Sequence, residues 1–195
     1  MAEIKSTMDL VMERANRIGK ASSEELRQEE ARQQGVKIVV EYLEGGRESL
    51  DEAISARKKE DQPGIRRGIG ETLLRNIFLP RDEVQQAKAE KALQGIHELG
   101  RGAGDIATLC REIQGVIAGY HQHRQQLMQQ LQEQIRMQYE QMLQQQGGSG
   151  GAAGIEQSLQ TKIQEELDRV EKELDRQYNT PLDQLKDQVK ERLGI

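Results

Sequence analysis

The sequence has few aromatic residues and almost no cysteine. It contains one Phe, four Tyr and no Trp among 195 residues, whereas a compact core of this size normally uses several large rings. We therefore expect aliphatic side chains on helices to supply most buried contacts. The single cysteine, Cys110, excludes an intrachain disulfide and fits a reducing compartment. We interpret it as a small residue beside a helix seam rather than as a reactive thiol.

Long apolar runs are also absent from the sequence. No segment approaches the roughly 20 apolar residues that span a bilayer, and the first residues lack the apolar core of a secretory signal. We therefore predict a cytoplasmic protein without membrane insertion. The formal net charge of -5 gives no general attraction to nucleic acid or to anionic membranes.

The most informative pattern that is present is an apolar stripe that repeats in steps of three, four and four residues. A heptad register from the same start would place polar residues such as His123 and Gln130 in the seam, so the eleven-residue period fits better. This period favours helices that pack lengthwise with little supercoil. The stripe consists of Ile106, Leu109, Ile113, Ile117, Tyr120, Arg124, Met128, Leu131, Ile135, Tyr139 and Met142.

A second stripe follows the glycine-rich segment 147–154. Two long helices joined by a short flexible connection predict an antiparallel hairpin with coiled-coil packing. The pattern leaves open whether the hairpin closes within one chain or between chains. The interface residues predicted on this second helix are Ile155, Leu159, Ile163, Leu167, Val170 and Leu174.

Local signals along the rest of the chain also predict helices. Capping patterns predict helix starts at several polar residues, and glycine and proline predict the breaks between helices. The predicted starts are Ser6, Ser22, Ser49, Asp82, Asp105 and Thr180, and the predicted breaks are Gly19, Gly45-Gly46, the loop 61–64 and the glycines at 100, 102 and 104. We expect an all-α protein with a small N-terminal helical bundle, residues 1–104, and a hairpin arm, residues 105–195.

The segment from Gln62 to Arg81 combines many apolar residues with a local excess of positive charge. Its four arginines, accompanied by the single acid Glu71, could contact phosphate or an acidic protein surface. Alternatively, the segment is an apolar core element whose arginines pair with nearby acids. Because no aromatic residues are interleaved, any RNA contact would involve the backbone rather than stacked bases. The four arginines are Arg66, Arg67, Arg75 and Arg81.

The remaining motifs predict no metal and no cofactor. His121 and His123 lie two residues apart and would point about 200° away from each other on a helix. The glycines at 64, 68 and 70 lack the Gly-Lys-Ser/Thr ending of a phosphate-binding loop. The glutamine run of the long helix is either a solvated face or a polar interaction surface. Gly115 and Gly119, four residues apart, either mark close approach of another helix or are two tolerated weak positions within the helix.

The first fourteen residues, MAEIKSTMDLVMER, resemble the start of a family of uncharacterised helical bacterial proteins. This resemblance implies a helical fold and carries no established activity.

These features favour a non-catalytic interaction protein, an adaptor or scaffold, whose arm pairs with a protein partner or with itself in a homo-oligomer. The alternative is a ribosome- or RNA-associated factor that contacts phosphates through residues 62–81. No arrangement of nucleophile, base and orienting group indicates an enzyme.

Overall fold

The computed structural model describes residues 7–145 and 152–195, with side chains at 23–138, 140–141 and 165–195. These residues contain six helices and no strand, which confirms the expected all-α fold class. The helices are α1 (Thr7–Leu43), α2 (Leu50–Ser55), α3 (Gln62–Arg75), α4 (Glu83–Leu99), α5 (Gly104–Gln145) and α6 (Ala152–Leu193). Among the described residues, no helix is both long and apolar enough to cross a membrane.

Helix α1 is longer than the sequence predicts. The expected break at Gly19 is wrong, because the helix continues from Thr7 to Leu43. One glycine in a helix interior costs only about 1 kcal/mol relative to alanine and does not by itself end a helix. The end of α1 is helical although β-branched residues cluster there, and Gly45 follows it with a φ of 84°.

The start of α2 follows the prediction and is reinforced by a second helix. The hydroxyl of Ser49 accepts a hydrogen bond from the backbone N–H of Glu52. One carboxylate oxygen of Glu98, in α4, accepts from the Ser49 hydroxyl at 2.7 Å and from the backbone N–H of Leu50 at 2.8 Å. A six-residue helix has little stability of its own, so these caps and its buried residues hold it in place.

Helix α3 begins where the sequence predicts a loop. Pro63 lies in its first turn, where the missing N–H group costs nothing. Three residues of α3, Ile65, Ile69 and Leu73, are fully buried. The prediction of a loop at 61–64 is therefore wrong, because Pro-Gly was interpreted as a break although proline also favours the first turn of a helix.

Glycines bring α1 and α3 into backbone contact. A Cβ atom on Gly68 would overlap the carbonyl oxygen of Arg32, and one on Gly35 would overlap the carbonyl oxygen of Ile65. A Cβ atom on Gly64 would lie 2.8 Å from the Cβ of Ala31. The two helices can approach this closely only because side chains are missing at these positions.

Helix α6 passes through the predicted helix start at Thr180. Pro181 lies inside the helix, and the Thr180 hydroxyl donates to the carbonyl of Arg176 at 3.3 Å. The hydroxyl thus occupies one carbonyl near the proline, which itself has no N–H to donate. The new start predicted at Thr180 is wrong. Residues 147–151, the larger part of the predicted glycine-rich turn at 147–154, lie outside the described residues, whereas residues 152–154 belong to α6, so the turn is wrong there.

The chain forms two compact units, each built from separate stretches of sequence. The first unit comprises the described residues of Met1–Asn76 together with Lys91–Ala103 and Lys190–Ile195, and the second comprises Ile77–Glu90 and Gly104–Val189. The predicted division into residues 1–104 and 105–195 stays a prediction. The largest fully buried side chains of the first unit are Val39, Leu50, Ile65, Ile69, Leu73, Ile96 and Leu99. Those of the second unit are Ile77, Ile113, Tyr120, Leu182 and Val189.

Candidate interaction surfaces

Within the second unit, α5 and α6 contact each other in antiparallel orientation. Tyr120 contacts Asp175, whereas Arg124, four residues later on α5, contacts Glu171, four residues earlier on α6. These contacts join two helices of one chain. The first part of the predicted stripe is buried, at Ile106, Leu109, Ile113, Ile117 and Tyr120.

A polar network holds the two helices at this level. The Tyr120 hydroxyl donates to one oxygen of Asp175 at 2.8 Å, and the Arg81 guanidinium donates to the other oxygen, also at 2.8 Å. Tyr120 is only 1% exposed. Burial and the neighbouring carboxylate of Asp175 both disfavour the phenolate and raise the pKa of Tyr120 to about 12. The phenol is therefore neutral and available as a donor at physiological pH.

Arg124 is the one charged residue of the predicted stripe, and the structure explains why it is there. Its guanidinium donates twice to a carboxylate oxygen of Glu171, at 2.7 Å from Nη2 and 3.2 Å from Nε. Both side chains are largely covered, at 25% and 19% exposure. A charge in the seam is tolerated because its partner, Glu171, lies directly opposite on α6.

Beyond Arg124 the predicted seam is covered less completely. Met128, Leu131 and Ile135 are half-buried on α5, and Leu167 and Val170 are half-buried on α6, whereas Leu174 is buried. The side chains of Tyr139, Met142, Ile155, Leu159 and Ile163 lie outside the described residues. Coiled-coil packing along the whole stripe therefore stays a prediction.

The two glycines of α5 do not mark a close helix approach. A Cβ atom on Gly115 would have nothing within 4 Å among the described residues, which contradicts close approach and agrees with the alternative of a tolerated weak position. At Gly119 the neighbour is the ring of Tyr178, 3.5 Å away, rather than a helix backbone. The Tyr178 ring packs edge-on against the Tyr120 ring, with centroids 5.7 Å apart.

Two of the four arginines in the predicted basic segment are paired with acids. Arg67 contacts Glu71 at 3.0 Å, and the second oxygen of Glu71 accepts from Arg32 at 2.8 Å. Burial raises the pKa of Glu71, but hydrogen bonds from Arg67 and Arg32 outweigh it and leave the pKa below its usual value. Arg81 contacts Asp175. Arg75 is exposed and has no ion pair within the described part of the chain.

Arg66 is the exception among these arginines. Its Nη2 donates to the carbonyl of Leu99 at 2.6 Å, whereas its Nη1 is buried with no hydrogen-bond partner in the described residues. Burial and the nearby positive charge of Arg101 lower its pKa. Arg66 lines a groove of about 860 Å³ in the first unit, whose other charged lining residues are Glu24, Glu25, Glu29, Arg32 and Arg67. The groove thus carries both signs of charge.

The single thiol matches the interpretation given to it from the sequence. Cys110 is 6% exposed, and burial raises the pKa of its thiol, which favours the protonated form. In the described residues, no group of three or more His, Cys, Asp or Glu side chains is placed to hold a metal ion.

One exposed strip of α5 carries no charge over five turns. Between Glu112 and Glu133 the only charged residue is Arg124, which pairs with α6, although 31% of the whole chain is charged. Apart from the neighbours His121 and Gln122, successive members of the strip are three or four residues apart, and all seven lie within an arc of about 100° on one side of the helix. We call this strip the outer face; it consists of the exposed residues Gln114, Ala118, His121, Gln122, Gln125, Gln129 and Gln132.

Similarity to known proteins is found at the level of a family. No curated protein and no solved structure is detectably similar to the chain. A family model matches residues 51–191, which begin in α2 and end near the end of α6, downstream of the opening residues that carry the resemblance. The expected membership of an uncharacterised family is confirmed: the chain belongs to the family of unknown function DUF6657.

Proposed function

We propose that the protein is a non-catalytic interaction protein, an adaptor or scaffold, that binds its partner through the outer face of α5. The observation that carries this proposal is the absence of charge from that face. A solvated helix in a chain with 31% charged residues would be expected to carry several charges over nineteen positions. Glutamine amides both donate and accept hydrogen bonds, so this face suits contact with another polar, uncharged helix surface.

The internal contacts of α5 are consistent with this role. Tyr120 and Arg124 join α5 to α6 on the side opposite the outer face. The outer face can therefore bind a partner without opening the hairpin. The five turns of α5 that carry the outer face, supported by α6, would present a rigid surface, which lowers the entropy cost of binding.

The proposal is tested by adding charge to the outer face. We would introduce Gln122→Lys and Gln129→Lys together, and compare them with a control that carries Gln130→Lys and Gln134→Lys, two exposed residues on another side of the same helix. Tagged proteins would be used to capture partners, including the protein itself, from lysate of the native cell. We expect the outer-face variant to lose its partners and the control to keep them. If both variants capture the same proteins as the unmodified chain, the outer face is not the binding surface.

The alternative, a ribosome- or RNA-associated factor, is favoured by one observation. The buried Nη1 of Arg66 has no partner in the described residues, and a phosphate oxygen could supply one after a small movement of the side chain. Binding should then weaken steeply with salt and be reduced by Arg66→Gln, but not by the control Arg57→Gln at an exposed position of the same unit. Capture of RNA that is insensitive to salt and to Arg66→Gln would contradict this alternative.

A further inference from the structure

Two opposite charges bound the outer face of α5 at equal distances from Gln122. Arg111 precedes Gln122 by eleven residues, and Glu133 follows Gln122 by eleven residues. Eleven residues correspond to three turns of a helix, so both side chains lie on nearly the same side as Gln122. The outer face is therefore a neutral strip with a positive charge at one end and a negative charge at the other.

Neither of these charges has an ion pair within the described residues. The guanidinium of Arg111 donates to the carbonyl of Ala107 and to the hydroxyl of Thr108, both on its own helix. Glu133 is exposed and forms no ion pair in the described part of the chain. By contrast, Arg136, three residues after Glu133, pairs with Glu140 one turn away. Both charges at the ends of the outer face are available to an external partner.

We propose that the outer face of α5 docks on the same face of a second copy of the chain, in antiparallel orientation about a two-fold axis at Gln122. This arrangement places Arg111 opposite Glu133 of the second copy at both ends of the contact. The inference rests on the proposed function, because it names the partner of the same surface. Dimers with two-fold symmetry require a surface that is complementary to itself, and an antiparallel strip with opposite charges at its ends has this property.

The chemistry of the strip between the two charges fits the same arrangement. On the axis, the amide of Gln122 would face the Gln122 amide of the second copy, and each can donate to and accept from its counterpart. A parallel arrangement would instead place Arg111 against Arg111 and Glu133 against Glu133 of the second copy. A strongly charged partner would find no matching charges between the two ends.

The outer face is about 28 Å long, since nineteen residues rise 1.5 Å each. A single helix face of this length and polarity gives a small interface, and we expect a correspondingly weak dimer. Association should be measured by sedimentation equilibrium of the full chain up to high micromolar concentration, at low ionic strength, where exposed ion pairs are least screened.

Charge reversal tests the pairing directly. We expect Arg111→Glu alone and Glu133→Arg alone each to weaken self-association roughly tenfold, because each turns two attractive pairs into two repulsive ones. An equimolar mixture of the two variants should restore association, since Glu at 111 of one chain then meets Arg at 133 of the other and the native pair forms at the opposite end. The chain carrying both changes should also dimerise. The control, Arg176→Glu on α6, makes the same charge change at another exposed position and should leave association unchanged.

The outcomes separate this inference from the proposed function. Weakened association of each single variant, restored in the mixture and in the chain carrying both changes, supports the antiparallel pairing. A parallel contact already places like charges together at both ends, so the single variants would not weaken it further. Single variants that dimerise like the unmodified chain, or a mixture that stays monomeric, overturn the inference. A chain that is monomeric throughout also overturns it, and in that case loss of other captured proteins by the Gln122→Lys and Gln129→Lys variant would still support the proposed function.

Discussion

The hydroxyl of Tyr120 donates a 2.8 Å hydrogen bond to Asp175 and so joins α5 to α6 within one chain. The ring of Tyr120 is buried, and the same carboxylate also accepts from Arg81. A single aspartate thus connects α6 both to the seam of α5 and to the segment that precedes α4. This arrangement predicts how the stability of the second unit depends on alkaline pH.

The pKa of Tyr120 is about 12 in the folded chain, above the ordinary value of 10. Because the folded pKa is raised, the neutral phenol stabilises the fold fully below pH 10, and this stabilisation is lost as the pH rises toward 12. We expect Tyr120→Phe to lower the free energy of unfolding at neutral pH by about 1 kcal/mol, through the lost hydrogen bond. The variant should also lose less stability than the unmodified chain between pH 10 and 12.

Urea unfolding followed by circular dichroism at several pH values measures both effects. Lysine and the other tyrosines also titrate in this range. The contribution of Tyr120 is therefore read from the difference in stability between Tyr120→Phe and the unmodified chain. If the two stability curves run parallel from pH 9 to pH 12, Tyr120 does not have the raised pKa.

The pair Arg124–Glu171 predicts a second effect on stability, at neutral pH. Replacing one partner leaves the other charge largely covered and unpaired, so Arg124→Met should lower the free energy of unfolding by about 2 kcal/mol. The double variant Arg124→Met with Glu171→Leu should recover much of this loss, because it leaves no unpaired charge. A double-mutant cycle in urea measures the coupling. Additive effects of the two substitutions would indicate that the two side chains do not interact in solution.

Much of the secondary structure could be predicted because its signals are local. Ser49 caps α2 as its spacing to Glu52 predicts, and the stripe from Ile106 to Tyr120 is buried as its period predicts. Local signals failed where another interaction outweighed them. Gly19 and Pro181 both suggest interruptions, yet a long helix tolerates one unfavourable residue when the rest of it is stable.

The pairings between helices could not be predicted in the same way. Arg124 looks like a defect in the stripe until Glu171, 47 positions away, is placed opposite it. Glycines four residues apart occur both at Gly64 and Gly68 and at Gly115 and Gly119, and the sequence suggests close helix approach, as one of two alternatives, only for the second pair. The structure shows it at the first pair, because only the packing of α1 on α3 decides which glycines face a backbone.

The two glycine pairs therefore make opposite predictions for the same substitution. Gly68→Ala would place a Cβ against the backbone of Arg32, and we expect a loss of at least about 2 kcal/mol in the free energy of unfolding. Gly115→Ala has open space around the new atom and should stabilise the chain by up to about 1 kcal/mol. Thermal unfolding of both variants distinguishes them. Equal destabilisation by the two alanines would contradict the close contact of α1 and α3.

A last prediction concerns the change in burial along α5. Ile113 and Ile135 belong to the same stripe, but Ile113 is fully buried and Ile135 only half-buried. Ile113→Ala should cost about 3 kcal/mol in the free energy of unfolding, through lost apolar burial and the cavity that remains. Ile135→Ala should cost about 1 kcal/mol, because less apolar surface leaves water and solvent can fill the space.

Comparing the two variants also shows whether a second chain covers the distal seam, the part of the stripe beyond Arg124, in solution. Unfolding of both variants should be measured at low and at high protein concentration. If the cost of Ile135→Ala rises with concentration toward that of Ile113→Ala, a second chain covers the distal seam, and the partner surface extends beyond the outer face of α5. If the cost stays near 1 kcal/mol at every concentration, the half-buried seam faces water, and the contacts between copies are limited to other surfaces.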